Sequence, residues 1–131
     1  MLILERSNLK LEWLEEERVL RKTCLGHVAS GVLREVYDLI IPALLERGGT
    51  RILSDNRGLL PTPQEDLDWV EQDWFPRAVA AGWSAWAVLP PRSALGTMTM
   101  RRWIRVYQSR HLAVEAFERE EDALAWLQRQ R

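Results

Sequence analysis

The chain has 131 residues, 47% of them hydrophobic and 28% charged, which suits a single domain around one core and excludes the composition of a disordered chain. Eighteen Lys plus Arg against nineteen Asp plus Glu leave a formal charge of −1, so no overall field draws it toward nucleic acid or anionic lipid. The lone cysteine, Cys24, excludes an internal disulfide, and with only His27 and His111 as imidazoles it leaves no four-ligand zinc site, so neither metal nor cofactor is expected.

At the N-terminus, Leu2, Ile3 and Leu4 give way at once to Glu5 and Arg6, too short a run for a signal-peptide core. The apolar stretches at 39–45 and 85–91 fall far below the roughly 18 residues of a bilayer span. A cytoplasmic protein without integral membrane association is expected.

Leu9, Leu11 and Trp13 alternate with Lys10 and Glu12, and Val19, Arg21 and Thr23 oppose Leu20, Lys22 and Cys24. This period of two predicts two half-buried strands, paired as an antiparallel hairpin across the charged run at 15–17, with 2–4 as a possible third strand. From Val28 the period lengthens: Val32, Val36, Ile40 and Ala43 mark the buried face of a helix that Pro42 should kink or shorten and that Gly48 and Gly49 end. Residues 51–55 read as a short strand and Asn56-Arg57-Gly58 as a turn.

Thr62-Pro63-Gln64-Glu65 supplies a cap, a first-position proline and a glutamate three residues on, the sharpest helix start in the chain. Leu67, Val70, Trp74, Ala78 and Ala81 form its core stripe, from which Trp69 departs by about 100°. The nearly continuous apolar run at 83–89 predicts a central parallel strand, stopped by Pro90 and Pro91. Thr99 can cap a third helix built on Met100, Trp103, Ile104 and Tyr107, followed by a strand at 112–117 and a last helix from about residue 120. The prediction is one α/β domain over residues 1–131: an antiparallel hairpin followed by parallel βαβαβα, with about four helices.

Ligands on open α/β sheets meet the loops beyond the carboxyl ends of parallel strands, which selects Asp55, Asn56, Arg57, Arg92 and Ser93 as the candidate binding residues. No glycine-rich phosphate loop accompanies them. The plainer reading is that Asp55 and Asn56 satisfy turn backbone groups while the arginines are solvated. Cys24 near His27 suggests a nucleophile and its base, but a cysteine within an apolar-alternating strand behaves as a small hydrophobe, so no catalytic residue is assigned.

Acidic residues crowd the helix from Glu65 to Asp73, while Arg101, Arg102, Arg105 and Arg110 crowd the next, faces that either dock between subunits or are simply solvated. Among seven tryptophans, Trp13, Trp69 and Trp83 lack a clear place in a core stripe. Trp69 is the expected exposed interface anchor.

Taken together, the extended opening, Ile52-Leu53-Ser54-Asp55, the capped helix containing Trp69, the Gly82 turn into Trp86-Ala87-Val88-Leu89-Pro90, and the ending Phe117-Glu118-Arg119-Glu120-Glu121-Asp122-Ala123-Leu124-Ala125-Trp126-Leu127 resemble the bacterial STAS/SEC14 or SpoIIAA-like families. The resemblance implies a mixed sheet with packed helices, and a binding or regulatory role rather than catalysis. In the anti-sigma-factor antagonists of that group a phosphorylatable Ser or Thr follows a central strand within an Asp-Ser-Ser-Gly-like run. Here that region is Ser54-Asp55-Asn56-Arg57-Gly58, so the run is missing, and Thr62 at the next helix start is better read as a cap.

The leading expectation is therefore a non-enzymatic, regulatory interaction module that self-associates or binds another protein. The alternative is a small apolar-ligand or lipid-binding domain. An enzyme using Asp55 with Arg57 or Arg92 ranks third.

Overall fold

The computed structural model describes residues 1–130. Six strands lie in sequence order across one sheet: β1 (Leu2–Arg6), β2 (Leu9–Leu14), β3 (Val19–Gly26), β4 (Arg51–Leu59), β5 (Ala85–Leu89) and β6 (Ala113–Ala116). The first three form an antiparallel meander; β3 to β6 run parallel. The connections are α1 (Ser30–Arg47), a long helix made of α2 (Gln64–Trp69), a π-helical turn (Val70–Trp74) and α3 (Phe75–Ala80), and then α4 (Ala94–Ser109), with α5 (Glu120–Gln128) last.

Strand alternation sorts the core into two layers. Leu11, Trp13, Leu20, Ile52, Trp86 and Val88 pack beneath α1, α2, α3 and α4. Val19, Leu53, Ala85, Ala87 and Leu89 face the other way and are covered by Ala123 and Leu127 of α5. The two alanines of β5 carry almost no side-chain bulk, which lets α5 sit close on that face.

The aromatic residues knit the thicker layer. Trp83 lies 5.2 Å from Trp74, 5.7 Å from Phe75 and 6.1 Å from Trp86, ring centroid to centroid. Each of these indoles also donates: Trp74 to Tyr37 O, Trp83 to Ala85 O and Trp86 to Ser54 Oγ. Burying an aromatic ring while pairing its N–H is what makes a tryptophan-rich core affordable.

Several expectations are corrected here. Asn56-Arg57-Gly58 is not a turn: β4 continues to Leu59 and pairs with β3 through Leu25↔Gly58 and Gly26↔Leu59, after a register shift between Thr23 and Leu25. Glycine suits position 58 because a Cβ there would lie 2.6 Å from Leu25 Cδ2. The helix expected to follow a Thr99 cap begins six residues earlier, at Ala94, and its cap is Ser93, whose Oγ accepts from Gly96 N at 3.0 Å. The helix expected from the Thr62 cap begins at Gln64, with Pro63 at the cap position and no side-chain cap. α1 carries through Pro42 to Arg47 without ending early.

Trp69 is corrected as well. It is half-buried, edge-on to Tyr37 at 6.3 Å and beneath the Arg34 guanidinium at 5.1 Å. The stripe beside it is as expected, with Val70, Trp74 and Ala78 buried, and Trp69 is covered from α1 by Tyr37 and Arg34. Trp13 and Trp83 are buried, and no tryptophan among the described residues is exposed.

Candidate functional site

Because β4 extends through residues 55 to 57, its successive side chains point to opposite faces, and the five expected site residues divide among three places. Asp55 and Arg57 share the face that carries α5. Arg57 Nε donates to Asp55 Oδ1 at 3.0 Å and its terminal nitrogen to Oδ2 at 2.9 Å. Arg21 from β3 reaches the same carboxylate at 3.2 Å and Glu120 of α5 at 2.7 Å. Burial pushes the Asp55 carboxyl upward, but the Arg57 bonds and the Arg21 charge outweigh it and hold the pKa below the ordinary carboxylate range. A carboxylate so held is a poor proton acceptor.

Asn56 points the other way, into the helical layer, where its Oδ1 is buried without a hydrogen-bond partner. Ser93 is spent as the α4 cap. Arg92 is exposed and tied to the group only through its backbone, its N–H meeting Arg57 O at 3.3 Å.

A cleft of about 540 Å³ opens where the carboxyl ends of β4, β5 and β6 meet α4. Arg57, Arg92 and Arg101 line it, with Glu118 opposing them. A second groove of about 190 Å³ lies between the segment after β4 and the first turns of α4, lined by Leu59, Leu60, Leu67, Leu95 and Trp103, and it shares Pro91 and Met100 with the cleft. Leu60 and Leu95 on its walls are 42% and 59% exposed, and Met98, beside Leu95 on α4, is 66% exposed. Leu95 and Met98 are neighbours at i and i+3 on α4. Arg101 was legible as part of a basic helix face, but its convergence with Arg57 and Arg92 needed the fold.

Elsewhere on the basic and acidic helix faces, Arg110 pairs with Glu71 at 3.3 Å within the chain. The edge strand β6 is short, and Gln108 Nε2 donates to Val114 O at 2.8 Å, so part of that edge is already covered.

Two further titratable groups lie under the helices. Lys22 is 5% exposed and donates to Tyr37 Oη at 2.7 Å, its Nζ 4.3 Å from the centre of the same ring. Burial opposes its charge, while Tyr37 and Cys24 favour it and leave its pKa raised. The Cys24 thiol is pushed up by burial, against the pull of Lys22. It should therefore stay unmodified by a thiol reagent such as DTNB in the native protein and react stoichiometrically only in denaturant; rapid native labelling would show that the strand is not closed as described.

Among the described residues no group of His, Cys, Asp and Glu could hold a metal ion, and no helix is long and apolar enough to cross a membrane.

The sequence matches no family model and no curated protein. Solved structures share its architecture, among them the following two. An uncharacterised protein of the DUF3478 family from Shewanella loihica PV-4, described as having a SpoIIAA-like fold, superposes with a TM-score of 0.65 at 16% identity, covering 95% of this chain and 98% of that one. The chain has the SpoIIAA-like fold. The anti-sigma factor antagonist SpoIIAA in its unphosphorylated form superposes with a TM-score of 0.63 at 18% identity, covering 92% of this chain and 98% of that one. At these identities the likeness concerns the arrangement of elements alone.

Proposed function

We propose that this chain is a non-enzymatic, regulatory interaction module that receives an acidic, leucine-bearing segment of another protein. The receiving surface is the apolar groove beside the arginine-lined cleft. The observation that carries the reading is the gathering of exposed Leu60, Leu95 and Met98 next to Arg57, Arg92 and Arg101. Exposed apolar residues scattered singly need no explanation, but Leu60 and Leu95 lining one groove, with Met98 one helical turn from Leu95 and cations in the adjoining cleft, have the make-up of an interface: an apolar anchor with a charged rim. The side chains that chemistry would recruit are otherwise engaged, Asp55 by two arginines and Cys24 by burial.

The test is fluorescence polarisation with two labelled peptides of equal length, one alternating leucine pairs with glutamate and the other with lysine in place of each glutamate. The acidic peptide should bind and weaken as salt rises, and Leu95→Asp should reduce its affinity by roughly tenfold or more. Equal binding of both peptides, or an unchanged affinity in Leu95→Asp, would overturn the reading. Light scattering belongs beside it: a dimer that Leu95→Asp dissolves would make the occupant a second copy of this chain.

A further inference from the structure

The helical layer contains a charge without a counter-charge. Lys22 Nζ is buried and bonded to a phenol, and no carboxylate pairs with it among the described residues. Charged groups are almost never fully buried unless paired. Beside it Asn56, 3% exposed, has a buried Oδ1 that nothing satisfies. Both side chains, with Cys24 and Tyr37, line an interior void of about 40 Å³ between β3, β4 and the helices. Apart from Thr62 the rest of its wall is apolar, and outward it shares Leu59, Thr62, Leu67, Met100 and Trp103 with the 190 Å³ groove that opens to solvent between Leu60 and Leu95. An apolar passage thus leads from the surface to one buried cation and one unsatisfied amide.

We infer that this passage is a binding site for a small amphiphilic monocarboxylate, a short- or medium-chain fatty acid in chemical class. The carboxylate accepts a charge-assisted hydrogen bond from Lys22 Nζ, and the Asn56 amide, turned by half a revolution, donates to the second oxygen. The hydrocarbon tail lies outward against Leu67, Met100 and Trp103. A phosphate headgroup fits less well, because a void this small, with one cation, cannot pair two negative charges. The arginines of the surface cleft play no part in this site, and only its outer end, along Leu67, Met100 and Trp103, is shared with the apolar groove proposed to receive a protein segment.

The experiment is isothermal titration of octanoate, octanol and octylamine into the full chain. Octanoate should bind on the order of tenfold or more tightly than octanol, and octylamine should not bind. Lys22→Met keeps the unbranched side chain and removes the ammonium; it should bring octanoate down to the octanol level, leave octanol unchanged and leave the acidic peptide's affinity unchanged. Octanol binding as well as octanoate, or a preference that survives Lys22→Met, would overturn the assignment. Should Lys22→Met fail to fold, carboxyl-labelled octanoate decides the matter by NMR. Its bound carboxyl should titrate below the free acid, since a neighbouring ammonium favours the anion, whereas a bound carboxyl titrating at or above the free value would overturn the site.

Discussion

Replacing Trp83 by alanine should lower the stability of the fold by about 3–5 kcal/mol. The residue is 4% exposed, and its ring meets Trp74, Phe75, Trp86 and Tyr107, so it joins the long helix, α4 and the central strand β5 at one point. Truncation removes most of the buried ring and leaves a cavity whose walls, being other aromatic rings, cannot collapse into it. It also frees Ala85 O from the indole N–H. Against a total stability of about 5–15 kcal/mol, that loss is enough to bring a marginal domain near unfolding at room temperature. Urea unfolding followed by far-UV circular dichroism measures it; a loss below about 1 kcal/mol would mean that the aromatic layer is not packed as described.

Asp55→Ala should cost about 2–3 kcal/mol, a second large effect by a different route. The carboxylate lies between Arg21 and Arg57, with Glu12 and Glu120 also paired to Arg21, and removing it leaves Arg57 without its carboxylate partner and Arg21 short of one of three in a mostly buried site. The sign of the pH dependence follows from the same bonds. Asp55 has a folded pKa below the ordinary 3.8, so its contribution is complete above about pH 4 and is lost as pH falls through the lower folded value. Wild type should therefore lose stability over that acid range more steeply than Asp55→Ala does. Parallel acid-unfolding curves for the two would contradict the network.

The strands were legible because the sheet obeys a simple rule: apolar alternation at residues 9–13 and 19–24 and an unbroken apolar run at 85–89 each state how many faces are covered. That alternation also placed Lys22 on the side of Leu20 and Cys24, so its burial beneath the helices was written in the pattern even though its lack of a carboxylate was not. What the pattern could not show was the continuation of β4 past Asp55. Asn56 and Gly58 are turn-forming residues in isolation, and only pairing with β3, with its shifted register, holds them extended. That one misreading scattered the candidate site, since residues 55, 56 and 57 were expected to converge in a loop and instead alternate across a sheet.

The start of α4 was hidden for a related reason. Pro91 and Gly96 each argue against a helix, yet Gly96 is required where a Cβ would lie 2.6 Å from Pro91 Cβ and 2.8 Å from the capping Ser93 Oγ. With the helix begun at Ala94, Leu95 and Met98 come out on its exposed side, and the apolar rim appears where the sequence had suggested only a polar loop. Trp69 led away from that rim: its departure from the stripe looked like exposure, but its ring packs edge-on to Tyr37 beneath Arg34.

The central claim is that partner recognition takes place on the rim formed by Leu60, Leu95 and Met98 beside the three arginines. Amide and methyl chemical-shift mapping by NMR, with the acidic leucine peptide added to the labelled chain, tests it most directly. The account predicts perturbations confined to residues 57–62, 91–103 and their immediate neighbours, with the α5 face and the β1–β2 hairpin unmoved. Shifts centred on α5 or on the open edge of β1, with the rim silent, would contradict it.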